Sequence, residues 1–246
     1  MRLALISDVH SNVHALEQVL ARLDREAVDL ILNLGDLVGY NAHPNECVEM
    51  LKRPTVLNLA GNHDLALLNV ELAQHFSIIA YQAIIWAREH VRTECKEFLE
   101  NLPLTRDGDD YLACHGTPSS PDSYINYHFQ GKQVLKTLHK GLGLRVCFFG
   151  HTHRRALWYK DIRGKVALHP ITPAKIFLDR SWHYLINPGS VGQPRNDNPE
   201  AAFAIFDDQE FSIHYQSVPY DVAAAQESII KAGLPEYLAE RLALGT

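Results

Sequence analysis

Leu3-Ala4-Leu5-Ile6-Ser7-Asp8-Val9-His10 is a four-residue apolar run that breaks directly into a polar Ser-Asp-Val-His turn. A short apolar run closed in this way reads as a strand buried on both faces, as found inside α/β sheets. Leu30–Leu34, Val56–Leu59, Tyr111–Cys114, Val146–Phe149 and Tyr184–Ile186 repeat the pattern. Between the first two strands, Val13, Leu16, Val19, Leu20 and Leu23 recur at helical spacing. Pro44 suits the first turn of a second helix carrying Cys47, Val48 and Leu51. Residues 75–101 read as a longer helical region that Leu102-Pro103 stops. From Ala156 onward the signal is hairpins: Ala156–Tyr159, a turn around Gly164, Lys175–Leu178, then Tyr184–Ile186. Ala201–Phe206 and Phe211–Val218 form a further antiparallel pair around Asp207-Asp208-Gln209. Residues 219–246 make a tail of two helical pieces divided by Gly233. An α/β first half and a β-rich second half predict two packed sheets with helices outside, in one domain over 1–246.

The chain has 246 residues, 46% of them hydrophobic and 21% charged, which excludes disorder, collagen and coiled coil. Its net charge of −6 leaves no broad basic face for long nucleic acid. Cys47, Cys95, Cys114 and Cys147 form no C-x-x-C pair and read as reduced thiols. The opening apolar run is too short for a signal peptide. The most apolar window, Phe76–Ala87, is broken by Gln82 and followed by Arg88, Glu89 and His90, so no membrane span is expected. The expected location is the cytoplasm.

Chemistry concentrates where strands stop. The first ends in Asp8-Val9-His10, the second in Gly35-Asp36, and the third in Gly61-Asn62-His63-Asp64. The fourth ends in His115-Gly116 and the fifth in Gly150-His151-Thr152-His153. Ligands of α/β sheets gather beyond the carboxyl ends of strands, so these groups are expected to share one crevice. Oxygen and nitrogen donors without sulfur suit Zn, Fe or Mn. In extended backbone, Asp8 and His10 would project to one side and grip one ion together. His151 and His153 have the same spacing, although a bend after Gly150 would aim them at different ions.

This ordered series, D-x-H, G-D, G-N-H-D, H and G-H-x-H, strongly resembles the calcineurin-like metallophosphoesterases. Gly35-Asp36-Leu37-Val38-Gly39-Tyr40 and Asn187-Pro188-Gly189-Ser190-Val191-Gly192-Gln193-Pro194-Arg195 are similar to their compact prokaryotic phosphodiesterase branch. The resemblance runs from about residue 1 to 218. It implies a four-layer α/β/β/α sandwich with two mixed β-sheets, and a two-metal site at the strand C-terminal ends. It assigns Asp8, His10 and His153 to one divalent ion, Asn62, His115 and His151 to the other, and Asp36 to both. It leaves His63 facing the substrate as general acid, with a metal-bridging hydroxide as nucleophile.

Two departures stand out. Phosphatases of the superfamily carry G-D-x-x-D, whose second Asp orients the catalytic His. Gly39 stands at that position here, and Asp64 is the candidate to assist His63 instead. Tyr40-Asn41-Ala42-His43 replaces the G-Y-G-P of close relatives, which alters the cleft wall.

The expected activity is hydrolysis of small or nucleotide-like phosphodiesters. A dinucleoside-polyphosphate hydrolase or nuclease on the same centre is the alternative within enzymes. A protein-interaction scaffold with a vestigial metal site is the alternative outside them. Asn12 and Arg195 are candidate substrate contacts, against a helix cap for Asn12 and a surface pair with Asp197 for Arg195. Among the remaining histidines, His14 reads as a helix-surface residue. His75, His90, His139 and His214 read as solvated or capping side chains, His43 is open, and His169 and His183 carry no assignment. The apolar segment Ile78–Trp86 reads as core, or as a homo-oligomer face or lid.

Overall fold

The first strand, β1 (Arg2–Ile6), alternates its side chains between two cores. Leu3 and Leu5 enter the core between the sheets, while Ala4 and Ile6 face the outer helices. Strand periodicity dictates this, because successive side chains point to opposite faces. The computed structural model describes residues 1–138 and 143–246. His139 lies outside the described residues.

The first layer of helices comprises α1 (Val13–Leu23), α2 (Pro44–Leu51), α3 (Asn62–Leu68), α4 (Ile78–His90) and α5 (Thr93–Glu100). The remaining helices are α6 (His128–Thr137), α7 (Val222–Lys231) and α8 (Glu236–Leu244). The strands after β1 are β2 (Leu30–Asn33), β3 (Val56–Asn58), β4 (Thr105–Asp107), β5 (Tyr111–Cys114), β6 (Val146–Phe148) and β7 (Arg155–Lys160). They continue with β8 (Val166–Leu168), β9 (Ile176–Phe177), β10 (His183–Pro188), β11 (Ala201–Asp207) and β12 (Ser212–Val218).

They form two six-stranded sheets, ordered β3-β2-β1-β11-β12-β9 and β4-β5-β6-β10-β7-β8. In the first, β1, β2 and β3 run parallel and β11 joins antiparallel, with Leu3 opposite Phe206. In the second, β5, β6 and β10 run parallel and their outer neighbours antiparallel. The sheets face each other across Leu3, Leu5, Leu32, Phe148, Ile186 and Phe206. Helices α1, α2 and α5 cover the first sheet, and α6 covers the second through Val134 and Leu135 against Cys147 and Leu185. The expected α/β/β/α layering is present.

Several local readings need correction. Lys175–Leu178 contains a strand, but Ile176 pairs with Ile213 of β12 in the opposite sheet. The hairpin partner of β7 is β8, reached through the turn at Gly164. The helical region 75–101 is two helices, because Val91 and Arg92 take extended backbone between α4 and α5. Five elements lie outside the sequence reading: α3, which begins inside a strand-end motif, the short 3₁₀ helix Val70–His75, α6, and the edge strands β4 and β8. α6 is polar and contains Gly131, so its helical signal is weak.

The apolar segment in α4 is core on one face only. Ala83 packs in a cluster with α7 and α8, while Ile78 and Tyr81 are exposed. All four cysteines are free and buried. Among the described residues no helix is long and apolar enough to cross a membrane.

Candidate metal centre

The loops after β1, β2, β3, β5, β6 and β10 are sewn into one floor by backbone bonds. Asp8 and His10 donate from their N–H groups to the carbonyls of Gly35 and Asp36. Val191 and Gly192, after β10, donate to Ser7 and Asp8. Asn187 donates from Nδ2 to Gly150 O at 2.7 Å, which ties the β10 loop to the β6 loop. Gly192 permits the tightest approach, where a Cβ would lie 1.8 Å from Val9 O, and at Gly61 a Cβ would lie 2.1 Å from Asp36 Oδ1.

Asp8, His10, Asp36, His151 and His153 all have positive φ, from 47° to 64°. This corrects the expected reason for the pairing of Asp8 with His10. Their side chains converge through left-handed turns, not through extended i, i+2 geometry. Such backbone costs a non-glycine residue about 1–2 kcal/mol, so its clustering here marks a site whose geometry the surrounding fold imposes.

The structure brings together all seven candidate ligand residues, all of them buried. His10, His115 and His153 each bond through Nδ1 to a backbone carbonyl, of Val38 (3.0 Å), Leu34 (2.8 Å) and Gln193 (2.8 Å). In the neutral ring Nδ1 is then the donor and Nε2 carries a lone pair facing inward. His10 Nε2 and His153 Nε2 are 3.0 Å apart. Two inward nitrogens that close suit a shared proton or a metal ion between or beside them. Asp36 Oδ2 lies 3.4 Å from His10 Nε2 and 3.2 Å from His115 Nε2, so one carboxylate reaches both halves of the cluster. Asp8 Oδ1 and His151 Nε2 are buried without a hydrogen-bond partner.

Donor atoms of Asp8, His10 and His153 lie within 4.8 Å of one another, as do those of Asp36, His115 and His151. His151 and His153 therefore fall into different groups, as the bend at Gly150 suggested. A third group of the same span joins His10, Asp36 and His63. Asn62 Oδ1 is 3.1 Å from His115 Nε2. The donor set is oxygen and imidazole nitrogen, as Zn, Fe and Mn accept. Fixing the far ring nitrogen by a carbonyl is the usual way a metal-binding imidazole is oriented.

Electrostatics favours neutral imidazoles at His10, His151 and His153. Burial pushes His10 and His153 well below the ordinary histidine range, and His151 down to about 3. Burial would lower His115 too, but the charge and hydrogen bond of Asp36 carry it up to about 9. Asp36 itself is held well below the carboxylate range by His115 and His63, against the effect of burial. Burial lifts Asp8 to about 7. Divalent cations in this cluster would relieve the burial of both carboxylates.

The sequence model of the calcineurin-like phosphoesterase superfamily domain matches residues 1–210. The chain belongs to the calcineurin-like phosphoesterase superfamily. An uncharacterised protein of Methanocaldococcus jannaschii is 38% identical to it over 247 residues, covering 99% of this chain and 98% of its own. The crystal structure of a metallophosphoesterase from Sphaerobacter thermophilus superposes with a TM-score of 0.83 at 34% identity, over 100% of both chains. A hypothetical protein of Pyrococcus horikoshii has the same fold, with a TM-score of 0.81 at 17% identity over 100% of this chain and 98% of its own. This calcineurin-like phosphoesterase is thus a metallophosphoesterase by family, with clustered Asp and His groups able to hold metal.

Above the floor lies a cleft of ≈ 340 Å³, lined by Tyr40, Asn62, His63, Phe76, Arg195 and Arg241 among others. His63 is buried, and burial pushes it down to about 4, so its ring is neutral near pH 7. Its Nδ1 has no hydrogen-bond partner. A Cβ on Gly39, which has φ +106°, would lie 2.6 Å from that nitrogen.

Asp64 does not assist His63. Its carboxylate accepts four backbone N–H bonds of 2.9–3.1 Å, from Asp36, Leu37, Val38 and Gly61. Consecutive residues of a helix face different directions, and α3 turns His63 to the cleft and Asp64 beneath the floor. Asn12 is likewise a structural residue. Its Oδ1 accepts from Ala15 N at 3.1 Å to cap α1, and its Nδ2 donates to Gly192 O at 3.0 Å. Both ends of the amide are thus engaged, which corrects its placement as a substrate contact.

Arg195 does line the cleft, and its Nη2 donates to Gln193 Oε1 at 2.8 Å. Its alternative pair with Asp197 is not formed among the described residues. His75, expected as an ordinary solvated side chain, is exposed on the cleft rim. His14 meets Ser228 at 3.2 Å and the ring of His43 at 5.5 Å, so both stand outside the cleft among the outer helices. His90 stacks on Trp86, and His169 and His214 bond to the carbonyls of Pro170 and Pro173.

The sequence reading missed Phe76, Asp122, Tyr124 and Arg241. Tyr124 covers His151 with ring centroids 3.9 Å apart. None of the four belongs to a motif, and only the fold brings them together.

Proposed function

We propose that this chain is a phosphodiesterase that uses two divalent cations and acts on small, nucleotide-like esters. Asp8, His10 and His153 would hold one cation and Asn62, His115 and His151 the other, with Asp36 shared between them. The observation that carries this reading is Asp36 Oδ2 standing 3.4 Å and 3.2 Å from the inward nitrogens of His10 and His115. When bound, the ions supply Lewis acidity toward the phosphoryl oxygens and bring the pKa of a coordinated water down toward neutrality.

The protein's own part is positioning and proton control. Val38, Leu34 and Gln193 lock three imidazoles in the tautomer that presents Nε2 inward. Asp64 clamps the Asp36 loop through its N–H groups. His63 would meet the substrate as a neutral ring and donate an N–H hydrogen bond to the departing oxygen, stabilising its developing charge while the ring keeps its proton. No carboxylate stands at residue 39 to raise its basicity or hold its proton. That makes it a modest donor, suited to diesters whose leaving group departs with little help. Arg195 reaches from the β10 loop toward the substrate anion.

The volume of the cleft suits a ligand of nucleotide size. Tyr40, Phe76 and Tyr124 offer aromatic faces, and the net charge of −6 argues against long nucleic acid. Four free thiols fit a reducing cytoplasm. The test is a panel of mono- and diesters assayed with Mn, Zn and Fe. The expected result is a higher kcat/KM on diesters, and a clear preference for phosphomonoesters would overturn the reading.

A further inference from the structure

Three imidazoles of the site are each fixed by a hydrogen bond between the ring and a backbone carbonyl: His10, His115 and His153. His63 is fixed differently. Its backbone N–H donates to Asp36 Oδ1 at 2.9 Å, but that bond leaves both side-chain torsions free. Its Nδ1 is buried without a hydrogen-bond partner. Beside that nitrogen stands Gly39, where any Cβ would lie 2.6 Å from Nδ1. With φ at +106°, the backbone there also disfavours a side chain. A carboxylate at residue 39 could not pair with the ring where it now stands.

What surrounds the ring is aromatic. Phe76 packs against it with ring centroids 4.7 Å apart and planes tilted by 33°. Tyr40 stands at 4.7 Å with a tilt of 52°, and His10 meets the ring edge-on. Phe76 is itself anchored. It follows the 3₁₀ helix Val70–His75, donates from its N–H to Ala73 O at 3.0 Å, and packs its side chain on Ala66, Ala73 and Ile84. An aromatic pair at this separation favours its own arrangement by roughly a factor of ten at most. That is little for the stability of a fold, but enough to select one orientation of a ring with two free torsions. A donor acting on a departing oxygen has to be held to within about 0.5 Å.

We propose that Phe76 is a positioning residue: its ring, with that of Tyr40, holds the imidazole of His63 toward the cleft in place of a hydrogen-bonding partner. The inference rests on the diesterase reading and assigns to packing the orientation which that reading requires of His63. In this role Phe76 makes no contact with the reacting group and acts through His63. Tyr40 is the less selective probe, because it also packs on His10 at 4.5 Å.

The test is a double-mutant cycle on the metal-loaded protein: wild type, Phe76→Ala, His63→Ala and the double variant. The substrates are the p-nitrophenyl and the phenyl ester of thymidine 5′-monophosphate, of which the phenyl ester has the poorer leaving group. Phe76→Ala should lower kcat about tenfold on the phenyl ester, with KM within about twofold, and lower it less on the p-nitrophenyl ester. The double variant should stay within about twofold of His63→Ala, because a ring that is absent cannot be misplaced. Phe76→Tyr, which keeps the aromatic ring, should regain most of the rate that alanine loses. Additive losses, a change in KM alone, equal losses on the two esters or an unchanged kcat would each overturn the inference. If wild type hydrolyses neither ester, the diesterase reading fails, and a crystal structure of Phe76→Ala still decides on the positioning. A His63 ring turned from its wild-type orientation supports it, and an unmoved ring overturns it. Phe76→Leu, which keeps apolar bulk among Ala66, Ala73 and Ile84, gives the same comparison should the alanine variant lose its fold.

Discussion

The floor of the cleft and its wall are built on opposite principles. The floor is strand ends: Asp8, Asp36, His115, His151 and His153 sit on short loops stitched to one another by backbone bonds, with Asn62 at the start of α3, all at 8% exposure or less. The wall is assembled from distant loops and a C-terminal helix: Tyr40, Phe76, Tyr124, Arg195 and Arg241 are half-buried or exposed. A rigid, strained floor suits chemistry that needs fixed donor positions. A wall of side chains on loops suits a choice of substrate, and it can change without disturbing the floor. Rate should therefore fail when the floor is altered and affinity when the wall is, except at the rings of Tyr40 and Phe76, which hold His63.

Four experiments bear on that contrast, beginning with the largest effect. Chelation, or Asp36→Ala, should cut diesterase activity about 10⁴-fold or more. Added Mn or Zn should restore the chelated wild type and not the variant. Retention of full activity by Asp36→Ala would remove the floor from the chemistry altogether. Next, His63→Ala should lower kcat about 10²–10³-fold while metal content, measured by elemental analysis, stays at the wild-type level. An unchanged rate would remove His63 from the stabilisation of the departing oxygen.

Asp64→Ala addresses the underside of the floor. It strands four buried N–H groups, so urea denaturation should report a loss of about 3 kcal/mol or more. A loss of activity at full stability would return Asp64 to the catalytic role that the sequence suggested. The smallest effect belongs to the wall. Tyr124→Ala should raise KM about threefold to tenfold with kcat nearly unchanged, because only a stacking surface is lost. A drop in kcat instead would make Tyr124 part of the floor through its contact with His151.

The same contrast explains what could be read from the sequence. The floor was legible because each donor follows a buried strand, and strand ends of α/β sheets meet in space. Even so, the reasoning for Asp8 and His10 was incomplete: spacing gave the pair, but left-handed turns deliver it, and positive φ in a non-glycine residue leaves no mark in composition. Asp64 misled because adjacency to His63 suggests partnership, whereas a helix separates neighbours. Ile176 carries a strand signal that names no partner, and its pairing with Ile213 depends on which sheet the chain crosses to. Arg241 had no local signal at all. Its place follows from α7 and α8 packing beside Ala83 and Tyr40, which is a matter of tertiary structure alone.

The most direct measurement is metal stoichiometry in the protein and its ligand variants after loading with manganese or zinc. Wild type should hold about two ions per chain, His153→Ala and His151→Ala should each lose one, and Asp36→Ala should lose both or nearly so. A wild-type protein that binds no ion, or whose ion content is indifferent to these three changes, would contradict the account.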